Sequence, residues 1–138
     1  MEANKGGKLP ASFWVIAVLG LLWNSFGAYL YMTARLDPQA ALAGASPDMR
    51  EYFAHQPIWA NIGYGLGIWG SFFGSAAMVL RSRHAATLFL VSLIGAALSH
   101  LAQAMAGVIP VELAIVIMGI IAFLWWYCRR CVQQGLLR

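Results

Sequence analysis

The sequence predicts an all-α membrane protein, a bundle of four transmembrane helices with a short helical loop between the first and the second. Of its 138 residues, 61% are hydrophobic and 10% are charged, whereas a soluble domain carries about 25% charged residues. The chain also contains four apolar stretches, each near the roughly 20 residues with which a helix crosses the hydrocarbon. Because backbone in lipid must satisfy its own hydrogen bonds, and because the alternating polarity of barrel strands is missing from the sequence, we expect helices.

We predict a single domain over residues 1–138. Its spans cover 12–32, 58–80, 85–107 and 111–127, with a loop over 34–57 and a tail over 128–138. Prolines mark three of the boundaries: Pro10 precedes the first span, Pro57 opens the second, and Pro110 lies at the start of the fourth. Glu112 lies at the very start of that last helix, where a carboxylate is favourable at the positive end of the dipole.

Basic residues are unevenly divided between the two sides of the predicted bundle. The side with both termini and the 81–84 turn has seven: Lys5, Lys8, Arg81, Arg83, Arg129, Arg130 and Arg138. The other side has only Arg35 and Arg50. By the positive-inside rule both termini are cytoplasmic and the 34–57 loop faces away from the cytoplasm. The basic residues are too few for a nucleic-acid-binding stripe, so no nucleic-acid partner is expected.

The 34–57 loop contains two helix-start signals. Asp37 before Pro38 and Ser46 before Pro47 each place a capping side chain ahead of a proline, which predicts short helices over 38–43 and 47–55. The second helix has an apolar stripe of Met49, Tyr52 and Phe53. We favour a lid over the end of the bundle; a helix lying on the membrane surface and a docking surface for a partner are the alternatives.

Small residues form stripes on three of the four spans. Those proposed for helix packing are Gly20 and Gly27 in the first span and Gly63, Gly67, Gly70 and Gly74 in the second. The third span has a small and polar stripe of Ser92, Ala96, Ser99 and Gln103, whereas the fourth is plainer and more lipid-facing. Such stripes let backbones approach closely, either inside the bundle, which we favour, or between copies of the chain.

Polar side chains are concentrated in the outer half of the predicted bundle. The candidate polar cluster consists of Asn24, Asn61, Tyr64, His100 and Gln103. Interhelical hydrogen bonds explain it most simply, and a solute pocket is the alternative. His100 is also a weak candidate ligand for a haem or a chlorophyll-type pigment, but it has no second intramembrane histidine, so no metal or cofactor is predicted.

Catalytic signatures are missing from the sequence. Cys128 and Cys131 have the spacing of a redox motif, but without a thioredoxin-like pattern around them and without a second pair for zinc. We therefore interpret them as structural, and we predict that the chain is not an enzyme.

Several segments are similar to small four-span proteobacterial membrane proteins that often bear the label "sugar transporter" without an established mechanism. These segments are Ser12–Asn24, Tyr31–Thr33, Ile68–Gly70, Leu80–Arg83 and Gly135–Arg138. The resemblance covers nearly the whole chain in order and implies the inner membrane of a Gram-negative bacterium. Members of that family tend to have an aspartate near the position of Leu30, and the leucine here argues against ion-coupled transport. The resemblance implies no catalytic residues.

The sequence favours a non-enzymatic accessory or scaffold subunit of a larger membrane complex, because small-residue packing faces are abundant and catalytic signatures are missing. Its partners would be the lipid bilayer and other membrane proteins or further copies of the chain. The alternative is an oligomeric small-solute transporter or a solute-binding membrane protein that uses the outer polar cluster.

Overall fold

The computed structural model describes residues 9–138, and all regular structure in that range is helical. The helices are α1 (Ala11–Leu36), α2 (Pro38–Ala41), α3 (Pro47–His55), α4 (Ile58–Val79), α5 (His84–Met105) and α6 (Val111–Gln133). Among them, α1, α4, α5 and α6 are long and apolar enough to cross a membrane. The prediction of a four-helix membrane bundle with a helical loop is confirmed, and the chain is a multi-pass membrane protein in contact with lipid. Lys5 and Lys8, which were used for orientation, lie outside the described residues.

Two helices extend further than predicted. The first continues to Leu36, past the predicted end at residue 32, and stops where Asp37 leaves the helical conformation (φ −142°, ψ 79°) ahead of Pro38. The last continues to Gln133, past the predicted end at residue 127, and ends before Gly135, whose φ is +76°. Polar and basic residues had suggested the earlier ends, but they do not interrupt a helix when they can reach the polar side of the bilayer.

The capping prediction for the loop helices is confirmed. The Asp37 side chain accepts a hydrogen bond from the Ala40 amide at 3.2 Å, and the Ser46 hydroxyl accepts one from the Met49 amide at 3.2 Å. The second helix has the predicted bounds, whereas the first ends at Ala41, two residues before the predicted 43. These short helices and their connections join the end of α1 to the start of α4. We call this end of the bundle the loop end, and the opposite one the tail end.

Helices α1 and α4 run antiparallel in a register that their side-chain contacts define. Nδ2 of Asn24, at the middle of α1, donates a hydrogen bond at 2.7 Å to Oγ of Ser75, near the tail end of α4. Near the loop end, the rings of Tyr31 and Tyr64 stack at 5.4 Å. Residues further along α1 therefore pair with residues nearer the start of α4.

Backbone contact between α4 and α5 is the closest in the bundle. A Cβ atom placed on Gly95 would lie 2.6 Å from the carbonyl oxygen of Gly63 and 2.9 Å from the amide nitrogen of Gly67. A Cβ on Gly70 would lie 3.0 Å from the Cβ of Ser92. Only glycine leaves room for this approach, and close approach is how helices attract one another in lipid, where a hydrophobic driving force is lacking.

Serine hydroxyls tie the same two helices together. The Ser92 hydroxyl donates to the carbonyl of Gly67 at 2.6 Å, and it also meets the Ser71 hydroxyl at 2.5 Å. All three groups belong to buried residues. Polar side chains at this depth are stable because each finds a partner on the neighbouring helix.

The tail end holds the main apolar core. It brings together residues of all four spanning helices and of the chain after α6: Phe13, Ala17, Met78, Ala85, Phe89, Leu124, Cys128, Cys131, Leu136 and Leu137. The backbone of Arg138 also pairs with the turn between α4 and α5, accepting from the Arg83 amide and donating to the Arg81 carbonyl, both at 2.9 Å. The segment predicted as a tail over 128–138 therefore belongs to the packed bundle.

The α4–α5 contact predicts that two glycine substitutions have opposite effects. In Gly95→Ala, overpacking against the α4 backbone costs about 1–3 kcal/mol and exceeds the gain in helix propensity of about 1 kcal/mol. In Gly27→Ala the new methyl group meets only Ile68 Cδ1 at 3.8 Å, so only the gain remains. Thermal unfolding in mild detergent is expected to show a lower melting temperature for Gly95→Ala alone. Equal melting temperatures for both variants would contradict the contact.

Candidate functional site

A cavity of about 970 Å³ lies at the loop end, between the last turns of α1, the two loop helices and the first turns of α4. Its lining comprises Leu30, Tyr31, Thr33, Ala34, Arg35, Pro38, Gln39, Ala41, Leu42, Ala43, Arg50, Phe53, Ala54, Gln56, Asn61 and Tyr64. Its size is at the upper end of the ~300–1,000 Å³ typical of small-molecule sites. The exposed side chains of Arg35, Gln39 and Arg50 show that it opens to the surface.

The structure brings together only part of the polar cluster expected from the sequence. Asn61 and Tyr64 line the cavity. Asn24 lies apart from them, because it is bonded to Ser75, fourteen residues or about 21 Å along α4 from Asn61. The side chains of a helix point toward its N-terminus, which for α1 is the tail end, so Asn24 reaches inward and not outward.

His100 and Gln103 also lie outside the cavity lining. They are three residues apart on α5 and therefore share a helix face. Gln103 is 6% exposed, and its Oε1 has no hydrogen-bond partner within residues 9–138. Within the same range, no three histidine, cysteine or acidic side chains gather in a way that could hold a metal ion.

Arg35 reaches the cavity because α1 is longer than its apolar sequence suggests. It lies one turn after Tyr31 on the same face, so its guanidinium covers the Tyr31 ring at 5.0 Å and Nη2 donates to the Tyr31 hydroxyl at 3.0 Å. The same nitrogen also donates to Asn61 Oδ1, which links α1 to α4 across the cavity. Both bonds use Nη2, one of the three guanidinium nitrogens. Because an arginine has five N–H donors, these bonds leave others unused.

Arg50 is held from the opposite wall. Its Nε donates to the carbonyl of Leu42 at 3.0 Å, and its Nη2 donates to the carbonyl of Ala43 at 2.6 Å. These carbonyls follow the last turn of α2, where no further helical N–H groups are available to bond them. Arg50 therefore links α3 to the end of α2. Carbonyl partners position the guanidinium without neutralising its charge.

The nearby acids do not compensate the two arginines. Among the described residues that line the cavity, none is acidic. The Asp37 carboxylate caps α2, and the Glu51 carboxylate pairs with His55 at 3.1 Å on an exposed part of α3. Neither arginine has a described carboxylate oxygen within 4 Å of its nitrogens. The charged side chains that line the cavity are therefore both positive.

Aromatic rings form one wall of the cavity. The stacked rings of Tyr31 and Tyr64 are flanked by Phe53, edge-on to Tyr64 at 6.4 Å, and by Trp69, edge-on to Tyr31 at 5.9 Å. Edge-to-face packing of this kind restricts each ring. The wall thus combines a fixed aromatic surface with the two guanidinium groups.

Helix α3 closes the loop end as a lid. Tyr52 is 8% exposed and packs on Ala60 of α4 and Ala102 of α5, while the neighbouring Phe53 faces the cavity. Burial raises the pKa of the Tyr52 hydroxyl, and this hydroxyl has no hydrogen-bond partner in the described part of the chain. These contacts hold α3 against α4 and α5, which is the arrangement that the lid interpretation expects.

The two arginines were not predicted as site residues. Both were placed in the 34–57 loop, Arg50 within the predicted 47–55 helix, and both counted only for orientation. The four-residue spacing of Tyr31 and Arg35 on a continuing helix was the available signal. No signal in the sequence placed Arg50 opposite them, because that depends on how the loop folds back.

No protein-family model matches this chain, and no match was found among curated proteins or among solved structures.

The lid contacts predict that the Tyr52 ring stabilises the loop end while its hydroxyl does not. Tyr52→Phe removes a buried, unpaired polar group, so its melting temperature is expected to equal or exceed that of the original chain. Tyr52→Ala removes the ring and is expected to lose about 3 kcal/mol or more. Thermal unfolding in mild detergent separates the two. A Tyr52→Phe loss as large as that of Tyr52→Ala would show that the hydroxyl has a partner.

Proposed function

We propose that this chain is a non-enzymatic membrane protein that binds a small solute in the loop-end cavity. The observation that carries the proposal is the cavity itself, which has the size of a small-molecule site, an aromatic wall and two arginines without a described carboxylate within 4 Å. Concave sites that combine apolar walls with a few fixed polar groups are the usual form of a small-molecule site. The proposal corresponds to the solute-binding alternative from the sequence, with the loop-end cavity in place of the predicted polar cluster.

Binding is favoured over transport by the packing of the rest of the bundle. Between the cavity and the tail end, α4 and α5 meet backbone to backbone. Below that contact lies the apolar core, to which Leu136 and Leu137 contribute. A solute in the cavity would therefore meet closely packed helices on its way through the bundle.

The proposal includes a location and an orientation. In the sequence, seven basic residues in the terminal segments and the 81–84 turn, against two in the 34–57 loop, support cytoplasmic termini. The cavity would then face away from the cytoplasm. The family resemblance of the sequence supports the inner membrane of a bacterium, where this side is the periplasm.

The cavity predicts that filling it abolishes solute binding. Ala34→Trp places a large ring among the lining residues, and Ala104→Trp adds the same ring at an exposed position of α5 that does not line the cavity. Thermal unfolding in phosphatidylcholine nanodiscs, recorded with octyl phosphate, octanol, glucose and octyltrimethylammonium, measures binding as a rise in melting temperature. At least one probe is expected to stabilise the original chain and Ala104→Trp but not Ala34→Trp. If none does so, the proposed function is wrong.

The accessory-subunit hypothesis from the sequence stays a prediction with its own measurement. If the chain is a subunit, purification from its native membrane in mild detergent is expected to recover other polypeptides in fixed ratio. A chain that purifies without any partner would contradict a stable complex. The cavity would be unaffected by either result.

A further inference from the structure

We propose that the solute of the loop-end cavity is an amphiphilic anion, with a carboxylate or phosphate group on an apolar body. The inference rests on the proposed function and adds the chemical class of the ligand. It is drawn from three features of the cavity: two guanidinium groups without a carboxylate partner, aromatic and aliphatic walls, and the exposure of the lining residue Leu30 on the surface of α1.

The guanidinium groups select for negative charge. Arg35 and Arg50 line one cavity without an acidic residue among the described lining. Their hydrogen bonds to neutral partners fix both groups in place and leave N–H donors unused. A planar guanidinium matches a carboxylate or a phosphate through two parallel hydrogen bonds, which are stronger than bonds between neutral groups. A cationic solute would meet two like charges here.

The walls select for an apolar body. Beside the two arginines and four polar side chains, the rest of the lining is supplied by aromatic and aliphatic side chains, among them Leu30, Leu42, Phe53 and Tyr64. A fully hydrated anion such as inorganic phosphate would leave these surfaces uncovered. An alkyl or aryl body against them would gain about 25 cal/mol for each Å² of apolar surface removed from water.

Leu30 shows from which side the apolar body can extend. Its side chain lines the cavity and remains 48% exposed on the surface of a membrane-spanning helix. Arg35 lies one turn closer to the end of α1, where charged side chains reach the polar interface. The anionic group would lie at Arg35, in the plane of the lipid headgroups, with the apolar body directed toward Leu30 and the hydrocarbon.

The experiment compares probes that differ in one feature at a time. Octyl phosphate has both the charge and the chain, octanol has the chain alone, and inorganic phosphate has the charge alone. Dissociation constants come from the dependence of the melting temperature on probe concentration in phosphatidylcholine nanodiscs. Subtracting the response of Ala34→Trp removes the contribution of partitioning into the lipid.

The variants test the charge at Arg35. Arg35→Gln is expected to weaken octyl phosphate about tenfold or more and to leave octanol unchanged. Arg35→Lys keeps the charge but not the planar fork, so we expect an intermediate loss. The matched control is Arg129→Gln, which removes an exposed arginine in the tail-end half of α6 and is expected to bind octyl phosphate like the original chain. The melting temperature without probe reports whether each variant folds.

Each contrary result refutes a different part of the proposal. If octanol binds the original chain as tightly as octyl phosphate and Ala34→Trp loses both, the cavity binds solutes but the preference for anions is wrong. If inorganic phosphate binds as tightly as octyl phosphate, the claim that the solute has an apolar body is wrong. Equal losses in Arg35→Gln and Arg129→Gln would refute the role of Arg35. If no probe distinguishes the original chain from Ala34→Trp, the proposed function itself fails.

Discussion

The close approach of α4 and α5 is the constraint on which the remaining structure depends. Gly63 and Gly95 face each other with no space for a side chain between them, and at this distance Ser92 reaches the carbonyl of Gly67. In a bilayer the helices gain nothing by hiding apolar surface from one another, so dense packing and interhelical hydrogen bonds hold them together. Once this pair is formed, α1 packs on α4 through the Asn24–Ser75 bond, and α6 packs on α5.

The two ends of the bundle differ in how the helices pack: the tail end is filled and the loop end contains a cavity. At the tail end, Leu136 and Leu137 fill the space between the helices, which gives a closed apolar core. At the loop end, α1 ends near Arg35 while the chain continues through α2 and α3 before entering α4. Tyr52 anchors α3 on α4 and α5. The space left between the two loop helices and the end of α1 is the cavity. The cavity is therefore a consequence of the loop's length and of the anchoring of α3 by Tyr52.

The site could be predicted from the sequence only in part, for identifiable reasons. Asn61 and Tyr64 were expected at the outer end and line the cavity. Asn24 was placed with them by its depth along α1, but its side chain points along the helix toward the tail end, where Ser75 is the available partner. Arg35 was treated as a boundary because charge usually marks the end of a span, although a charged side chain at the interface can belong to a continuing helix. The position of Arg50 depends on carbonyls that follow α2.

The sequence by itself determined the number of spans, the helical loop and its caps, because apolar length and residues such as Asp37-Pro38 act through local physics that needs no partner. It also determined which spans carry small residues. Only the tertiary structure decided which of those residues matter for packing: Gly63 and Gly70 are in tight contact with α5, whereas Gly20 and Gly27 have ordinary van der Waals space. The same glycine stripe is compatible with several partner helices, and the choice between them depends on how two whole surfaces fit together.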